Sequence, residues 1–316
     1  MKILMTTAIS DLYRERLERA YPGVQWRICR STSEAMEFLP RTDVLVTYGQ
    51  GFTVDHFRAA EKLRWIHSLT SGLETFPFDL FREREIALTN VRGIHGVPVA
   101  EHVFGMMISF MRQFPFFTRM QEHGRWEQHV KFDELFEKTI CVVGLGAIGK
   151  EVVKRAQAFG MRIVGVNTDG RDVNGVHKVY PADQLKRALS EADFIVVCVP
   201  LTANTENMIG PAELDVMKKS AILVNVARGL VVDERALIWA LEEGRIGGAA
   251  LDVFVEEPLS SESPLWRMHN VVITPHIAGR TPRYMERAME MFEANLAAFL
   301  DGKPFPFHQV DLEKGY

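Results

Sequence analysis

From residue 1 to about 97, short apolar runs alternate with stretches of helical spacing. Lys2 to Thr7, Val24 to Cys29, Asp43 to Tyr48, Trp65 to Leu69 and Ile86 to Val91 read as strands. Between them, Ser10 to Ala20, Ser33 to Leu39 and Val54 to Leu63 read as helices. The first of these puts Leu12, Tyr13, Leu17 and Ala20 on one face. This alternation predicts a small parallel-sheet domain.

Pro98 then opens a long apolar helix, Val99 to about Phe110, because proline suits the first turn of a helix. Residues 111–137 follow, rich in charge and in aromatic positions such as Phe114, Trp126, Phe132 and Phe136. An exposed aromatic arm is costly in a monomer, so it reads as a dimer contact, with packing on its own domain as the alternative. The pattern then changes to a buried strand, Ile140 to Val143, that runs into Gly144, Gly146 and Gly149. Val152, Val153, Ala156 and Phe159 continue at helical spacing, Gly160 stops the helix, and Met161 to Asn167 reads as a second strand. Strand, G-x-G-x-x-G, helix and strand in this order form the Rossmann βαβ fingerprint. Gly144 allows the tight turn, Gly146 lets backbone approach a pyrophosphate, and Gly149 lets helix and strand pack closely. The free N–H groups of the helix start would hold the phosphates.

Asp193 to Pro200, Ala221 to Ala227, Gly248 to Phe254 and Val271 to Thr274 are further strands, with helices at Pro211 to Lys219 and Asp233 to Glu243. Six parallel strands are expected in a doubly wound sheet, which binds ligands at the carboxyl ends of its strands. A last helix is predicted from Thr281-Pro282, with Met285, Met289, Phe292, Leu296 and Phe299 as its core stripe. It would return to the first domain and make that domain discontinuous. The expected domains are residues 1–97 plus 280–316 and residues 98–279, with two crossings that imply a hinge over a cleft.

With 316 residues, two domains are the default. A hydrophobic content of 47%, a charged content of 25% and a net charge of −4 are those of an ordinary globular protein. No basic run points to nucleic acid, and no apolar run or leader points to a membrane, so a cytoplasmic protein is expected. Cys29, Cys141 and Cys198 sit in or at the ends of apolar strands and read as buried, reduced thiols. No C-x-x-C or H-E-x-x-H occurs, so no metal site is expected.

Three polar residues follow buried strands of the second sheet: Arg228 after Val224 to Ala227, Glu257 after the strand ending at Phe254, and His276 after Val271 to Thr274. Singly, each has a bland reading as a turn or solvated residue. Together at one sheet edge, beside a dinucleotide site, they form an acid–base constellation. Imidazole ordinarily titrates near ~6.5, which suits His276 to give and take a proton. Glu257 would orient the ring, and Arg228 would bind a carboxylate in a fork.

Taken with Val99-Ala-Glu-His102, Gly144 to Gly149, Val199-Pro-Leu-Thr202, Val224 to Gly229, Leu251-Asp-Val-Phe254 with Glu257-Pro258, and Thr274 to Gly279, the chain resembles the D-isomer-specific 2-hydroxyacid dehydrogenases over nearly its whole length. The resemblance implies an α/β fold of two Rossmann-like domains: a doubly wound cofactor domain and a smaller, flavodoxin-like, discontinuous substrate domain. It implies an oxidoreductase that moves hydride between NAD(P)H and a 2-keto acid, with Arg228, Glu257 and His276 as its triad. The cofactor positions it implies include Gly144, Gly146, Ala147, Ile148 and Gly149 in the turn, and Val199, Pro200, Thr205, Val226, Ala227, Asp252, His276 and Gly279 along the other stretches. Asp252 would lie near the nicotinamide carboxamide. Thr70 to Gly72 would offer amides to the substrate carboxylate, making Ser71 and Gly72 substrate positions beside Arg228 and His276. Tyr48 and Leu69 are further pocket candidates, and a homodimer is implied.

The strand that meets the adenosine ribose ends at Asn167, where NAD enzymes carry an acidic residue. A neutral Asn167, with Thr168 and Arg171 to hold a 2′-phosphate, favours NADP(H), with dual use next; Asp169 argues the other way. The alternatives in function are a dehydrogenase of the same architecture acting on another small anion, and a non-catalytic dinucleotide-binding regulator.

Overall fold

A computed structural model of the chain describes residues 1–70, 72, 73 and 76–313. The chain divides into two compact units, Met1–Ile94 with Pro282–Tyr316, and His95–Thr281.

In the first unit, β1 (Lys2–Met5), α1 (Asp11–Ala20), β2 (Gln25–Ile28), α2 (Thr32–Ala35), β3 (Val44–Thr47), α3 (Val54–Ala59), β4 (Trp65–Ser68), α4 (Phe78–Glu83) and β5 (Ala87–Asn90) follow in turn. The five strands pair in parallel in the order β2-β1-β3-β4-β5, which is the flavodoxin order. β3 and β4 are buried along their whole length, as inner strands of a parallel sheet must be, and β4 carries the buried polar His67 and Ser68. Ser10 caps α1 by accepting the Tyr13 N–H. The expected face of that helix is corrected: only Leu17 is buried, whereas Leu12 is 77% exposed and Ala20 also faces solvent.

The second unit runs through α5 (Gly96–Met111), α6 (Phe114–Glu122), β6 (Thr139–Val143), α7 (Ala147–Ala158), β7 (Arg162–Asn167), β8 (Lys178–Pro181), α8 (Leu185–Glu191), β9 (Phe194–Val197), α9 (Pro211–Asp215), β10 (Ile222–Asn225), α10 (Glu234–Glu242), β11 (Gly248–Leu251) and β12 (Val271–Ile273). Its sheet has the parallel order β12-β11-β10-β9-β6-β7-β8. That is the doubly wound order, and the strand sequence reverses between β6 and β9. The sheet holds seven strands where six were expected. The additional one, β8, is a four-residue edge strand ending in proline, with too little apolar length to stand out in the sequence.

Other boundaries also shift. α9 stops at Asp215, short of Lys219, and α4, α6 and α8 were not anticipated. Phe159 lies beyond the buried face of α7 and is 40% exposed, stacked on Phe104. α5 packs its Val99, Val103 and Met107 face with Val152, Val153 and Ala156 of α7. The last helix, α11 (Tyr284–Leu300), begins three residues after Thr281. Its Ala288, Met289, Phe292 and Leu296 pack on Ile3, Met5, Val44, Val46 and Trp65 of the first unit's sheet.

Candidate active site

The glycine turn sits at the switch point of the second sheet. Val143 of β6 pairs with Val197 of β9, so Gly144 and Cys198 face each other one residue further on. Gly144 has φ +103°, and a Cβ there would lie 2.9 Å from the Cys198 carbonyl oxygen. A Cβ on Gly149 would lie 2.0 Å from the Gly144 oxygen, which fixes the close approach of α7 to the turn. Gly146 is different: nothing lies within 4 Å of the place a Cβ would take. It is also the N-cap of α7 and offers no side-chain cap. Open space thus stands before a twelve-residue helix whose first N–H groups have no side-chain partner at the cap. A dinucleotide pyrophosphate fits that cradle.

Arg228, Glu257 and His276 leave the adjacent strands β10, β11 and β12 at one edge. Asn225 braces the first turn from beneath. Its amide donates to the Arg228 carbonyl at 3.2 Å and its Oδ1 accepts the Ala227 N–H at 3.1 Å. Arg228 is exposed, with one Nη1–H on the Ala227 carbonyl at 2.8 Å. Gly229 lies directly on the chain after β11: a Cβ there would stand 1.9 Å from the Phe254 carbonyl carbon. Three residues beyond Phe254, Glu257 turns back. Its Oε1 accepts the Phe254 N–H at 3.1 Å, and its Oε2 is 2.7 Å from His276 Nδ1. An ionised carboxylate only accepts, so Nδ1 carries the hydrogen and Nε2 is left for the solvent side. The imidazole is half exposed.

His276 has φ +52°, in the left-handed region where a side-chain-bearing residue is strained by roughly 1–2 kcal/mol. Asp252, 1% exposed at the end of β11, holds it there. The Asp252 carbonyl accepts the His276 N–H at 2.8 Å. Its Oδ1 accepts the Ile277 N–H at 2.9 Å and the Thr274 hydroxyl at 2.5 Å, and its Oδ2 accepts the Ala278 N–H at 2.9 Å. His102 of α5 lies behind, with Nε2 2.9 Å from Thr274 Oγ1. Sequence reasoning used His102, Asn225 and Thr274 only as parts of matching stretches. Their partners lie across the sheet or on α5, and no local spacing reveals them.

The remaining expected positions fall as follows. Val226 and Ala227 are buried in the β10 turn, and Val199 packs against the Gly144 turn. Thr205 ties its own loop by donating to the Pro200 carbonyl at 2.6 Å. Ala147 and Ile148 form the first turn of α7. Asn167 turns inward, accepting the Gly170 N–H at 2.6 Å and donating to the Arg171 carbonyl at 2.8 Å. Arg171 is 79% exposed, 3.7 Å from Asp169, and Thr168, just before Asp169, is exposed. Gly279 has its carbonyl 3.4 Å from His95 Nδ1. Burial lowers the pKa of His95, the Gly279 contact opposes this, and the Arg228 charge adds to the lowering. In the first unit, Tyr48 stacks near Tyr284, and burial raises its pKa. The Leu69 side chain is fully buried in the core, so only its backbone is at the edge, where the carbonyl accepts the Tyr284 hydroxyl. The Gly72 N–H donates to Thr70 Oγ1 at 3.3 Å, and Ser71 lies outside the described residues. Among the described residues, no group of His, Cys, Asp and Glu could hold a metal ion, and no helix is long and apolar enough to cross a membrane.

The sequence model of the D-isomer specific 2-hydroxyacid dehydrogenase NAD binding domain matches residues 104–278. A D-3-phosphoglycerate dehydrogenase of Methanocaldococcus jannaschii is 38% identical over 96% of the chain, which spans 58% of that protein's length. A glyoxylate reductase of Pyrococcus furiosus is 34% identical over 96% of the chain and 93% of its own length. A D-isomer specific 2-hydroxyacid dehydrogenase of Xanthobacter autotrophicus Py2, solved with NADPH and MES, superposes with a TM-score of 0.81 at 28% identity, covering 100% of this chain and 99% of that one.

Proposed function

The chain belongs to the D-isomer-specific 2-hydroxyacid dehydrogenase family and is an NAD(P)-dependent oxidoreductase of that class, and from this premise we propose that it reduces a small 2-keto acid with His276 as the proton donor. The observation that carries the reading is the 2.7 Å contact of His276 Nδ1 with Glu257, which leaves Nε2 as the reacting nitrogen. A nicotinamide held at the carboxyl edge of the second sheet would supply the hydride for the 2-keto carbon. Negative charge then grows on the keto oxygen, where His276 Nε2 delivers its proton; in the reverse direction it takes the proton back. Glu257 stabilises the imidazolium and keeps the ring in one orientation. Arg228 pairs with the substrate carboxylate and, beside the keto oxygen, offsets the charge that develops there.

The cofactor preferred is NADP(H). Both ends of the Asn167 amide are engaged within its own turn, so it contributes neutrality rather than a bond to the ribose. Arg171, exposed beside it, would hold a 2′-phosphate, and Asp169 would draw off part of that charge. The assembly is a homodimer through residues 111–137. No residue of α6 is buried, and Phe114 is 53%, Trp126 90% and Phe136 58% exposed. Apolar rings displayed on this scale mark a partner surface.

The test is loss of reduced-nicotinamide absorbance with NADPH and NADH against glyoxylate, hydroxypyruvate, pyruvate and bulkier 2-keto acids. Turnover that His276→Ala reduces by ~10²–10⁴-fold, with NADPH affinity kept, supports the reading. An unimpaired His276→Ala enzyme sinks it.

A further inference from the structure

We propose that His102 and Thr274 are positioning residues for the reaction: they set the geometry of His276 through the buried carboxylate of Asp252. The inference rests on the reading of His276 as proton donor and adds how that histidine is held.

The hydrogen-bond directions fix themselves. The Asp252 carboxylate only accepts, so the single Thr274 hydroxyl hydrogen points to Oδ1 at 2.5 Å. Thr274 Oγ1 is then an acceptor, and His102 must present Nε2–H to it at 2.9 Å. Donation therefore runs one way, from His102 to Thr274 to Asp252. The Asp252 carboxylate is 2% exposed, and the side chain of His102 is 19% exposed, its Nε2 also 3.7 Å from Oδ1.

What Asp252 does with this support is local to His276. Its two oxygens collect the N–H groups of Ile277 and Ala278, and its carbonyl takes that of His276 itself. Three consecutive amides are drawn onto one residue, which is how a non-glycine residue is kept at φ +52°. Without the Thr274 hydroxyl, Oδ1 loses a short bond in a water-poor place, and the carboxylate is held by the Ile277 and Ala278 amides alone, which lets it shift towards them. The backbone at His276 then relaxes, and the ring swings away from Glu257. His95, seven residues before His102, touches the other end of the same loop at the Gly279 carbonyl, so α5 meets this loop at both ends.

Thr274→Val removes the hydroxyl at nearly constant shape, and Thr274→Ser restores it. His102→Leu and His102→Gln form a second pair, since a glutamine amide nitrogen reaches the place of Nε2. For each protein, kcat, KM for the keto acid, the dissociation constant of NADPH from fluorescence, and Tm are measured. A displacement near ~1 Å at the reacting nitrogen predicts a fall in kcat of ~10²-fold for Thr274→Val. KM and the NADPH constant should stay near the parent values, and Thr274→Ser should recover most of the rate. His102→Leu and His102→Gln should repeat the contrast, and they carry the test should Thr274→Val fail to fold. Parent-like kcat in Thr274→Val and His102→Leu overturns the proposal. So does a loss that the serine and glutamine variants share, or one that follows NADPH affinity and Tm. His276→Ala is assayed alongside. If it is fully active, the proton-donor reading falls and takes this one with it; if it is inactive while Thr274→Val is not, only the positioning role is lost.

Discussion

Gly229→Ala should separate catalysis from folding. The added Cβ would stand 1.9 Å from the Phe254 carbonyl carbon, 2.0 Å from its oxygen and 2.4 Å from the Val255 nitrogen. All three are backbone atoms, so no rotamer change relieves the clash. Carbon contacts are comfortable only from about 3.5 Å, so the Arg228 turn and the chain after β11 must part by about 1.6 Å. That movement spreads. Phe254 donates its N–H to Glu257 at 3.1 Å, and Glu257 holds His276 at 2.7 Å, so Arg228 moves on one side and the acid–base pair on the other. Misplacement on the order of 1 Å costs ~10²-fold in rate. Overpacking costs ~1–3 kcal/mol, or roughly 2–12 °C in Tm for a unit of this size. The assay is kcat/KM for keto acid reduction beside NADPH binding and thermal unfolding. The expected result is a folded protein that binds NADPH near the parent affinity and has lost ~10²-fold of kcat/KM. Gly105→Ala is the control: an exposed helix position with nothing within 4 Å of its Cβ, expected to keep full activity. A Gly229→Ala enzyme with parent kcat/KM would refute the argument that this contact aligns the two loops.

Arg171→Ala should raise KM for NADPH and leave KM for NADH unchanged; equal effects on both would make Arg171 a surface residue only. Burial pushes the Cys198 thiol up to about 12 and raises those of Cys29 and Cys141 as well, so the native protein should be inert to Ellman's reagent at pH 8. All three thiols should titrate after denaturation; fast native labelling would contradict the burial of Cys29 and Cys141 and the raised pKa of Cys198, whose residue is only part-buried where full burial was expected. His67, fully buried with Nδ1 2.8 Å from Thr89 Oγ1, has its pKa lowered by burial to about 3. On acidification the unfolded chain takes this proton near ~6.5 while the native chain does not until about 3, so stability is lost as pH falls through that window, by ~1.4 kcal/mol per unit from this residue. Urea unfolding at stepped pH should show a shallower acid loss in His67→Phe than in the parent; identical slopes would exclude His67 as the source.

Elements that bury apolar side chains on both faces were plain in the sequence, because a buried parallel strand is an unbroken run such as Ile140 to Val143. β8 was not, because an edge strand needs to bury only one face. Lys-Val-Tyr-Pro carries one fully buried residue, Tyr180. Leu12 misled for the opposite reason: periodicity allots a face, but only the neighbouring sheet decides how wide it is, and here it covers little beyond Leu17. Arg228, Glu257 and His276 could be placed at one edge by counting from strand ends. Their contacts could not, and the structure joins His276 to Glu257 while leaving Arg228 on its own turn. Asn167 could be named as the candidate ribose position from its place at the end of the strand, roughly 20 residues after the glycines, but not as a residue whose amide is already spent within its turn.

Each of the three loops is held by a residue with no chemistry to perform. Asn225 ties the turn of Arg228, Gly229 seats that turn against the approach to Glu257, and Asp252 gathers the amides around His276. Asn225 and Asp252 are almost wholly buried and lie at or next to strand ends, where one polar side chain can meet several backbone donors before the chain reaches solvent. A buried polar group without partners is costly, so these two side chains are tolerated because their turns satisfy them, and the turns in turn keep their shape through them. The proposed proton donor is therefore free to be half exposed, as His276 is. The precision of the site belongs to the sheet beneath it. Rate should then be more sensitive to methyl-sized changes at Gly229 and Thr274 than to changes of similar size on the exposed rim.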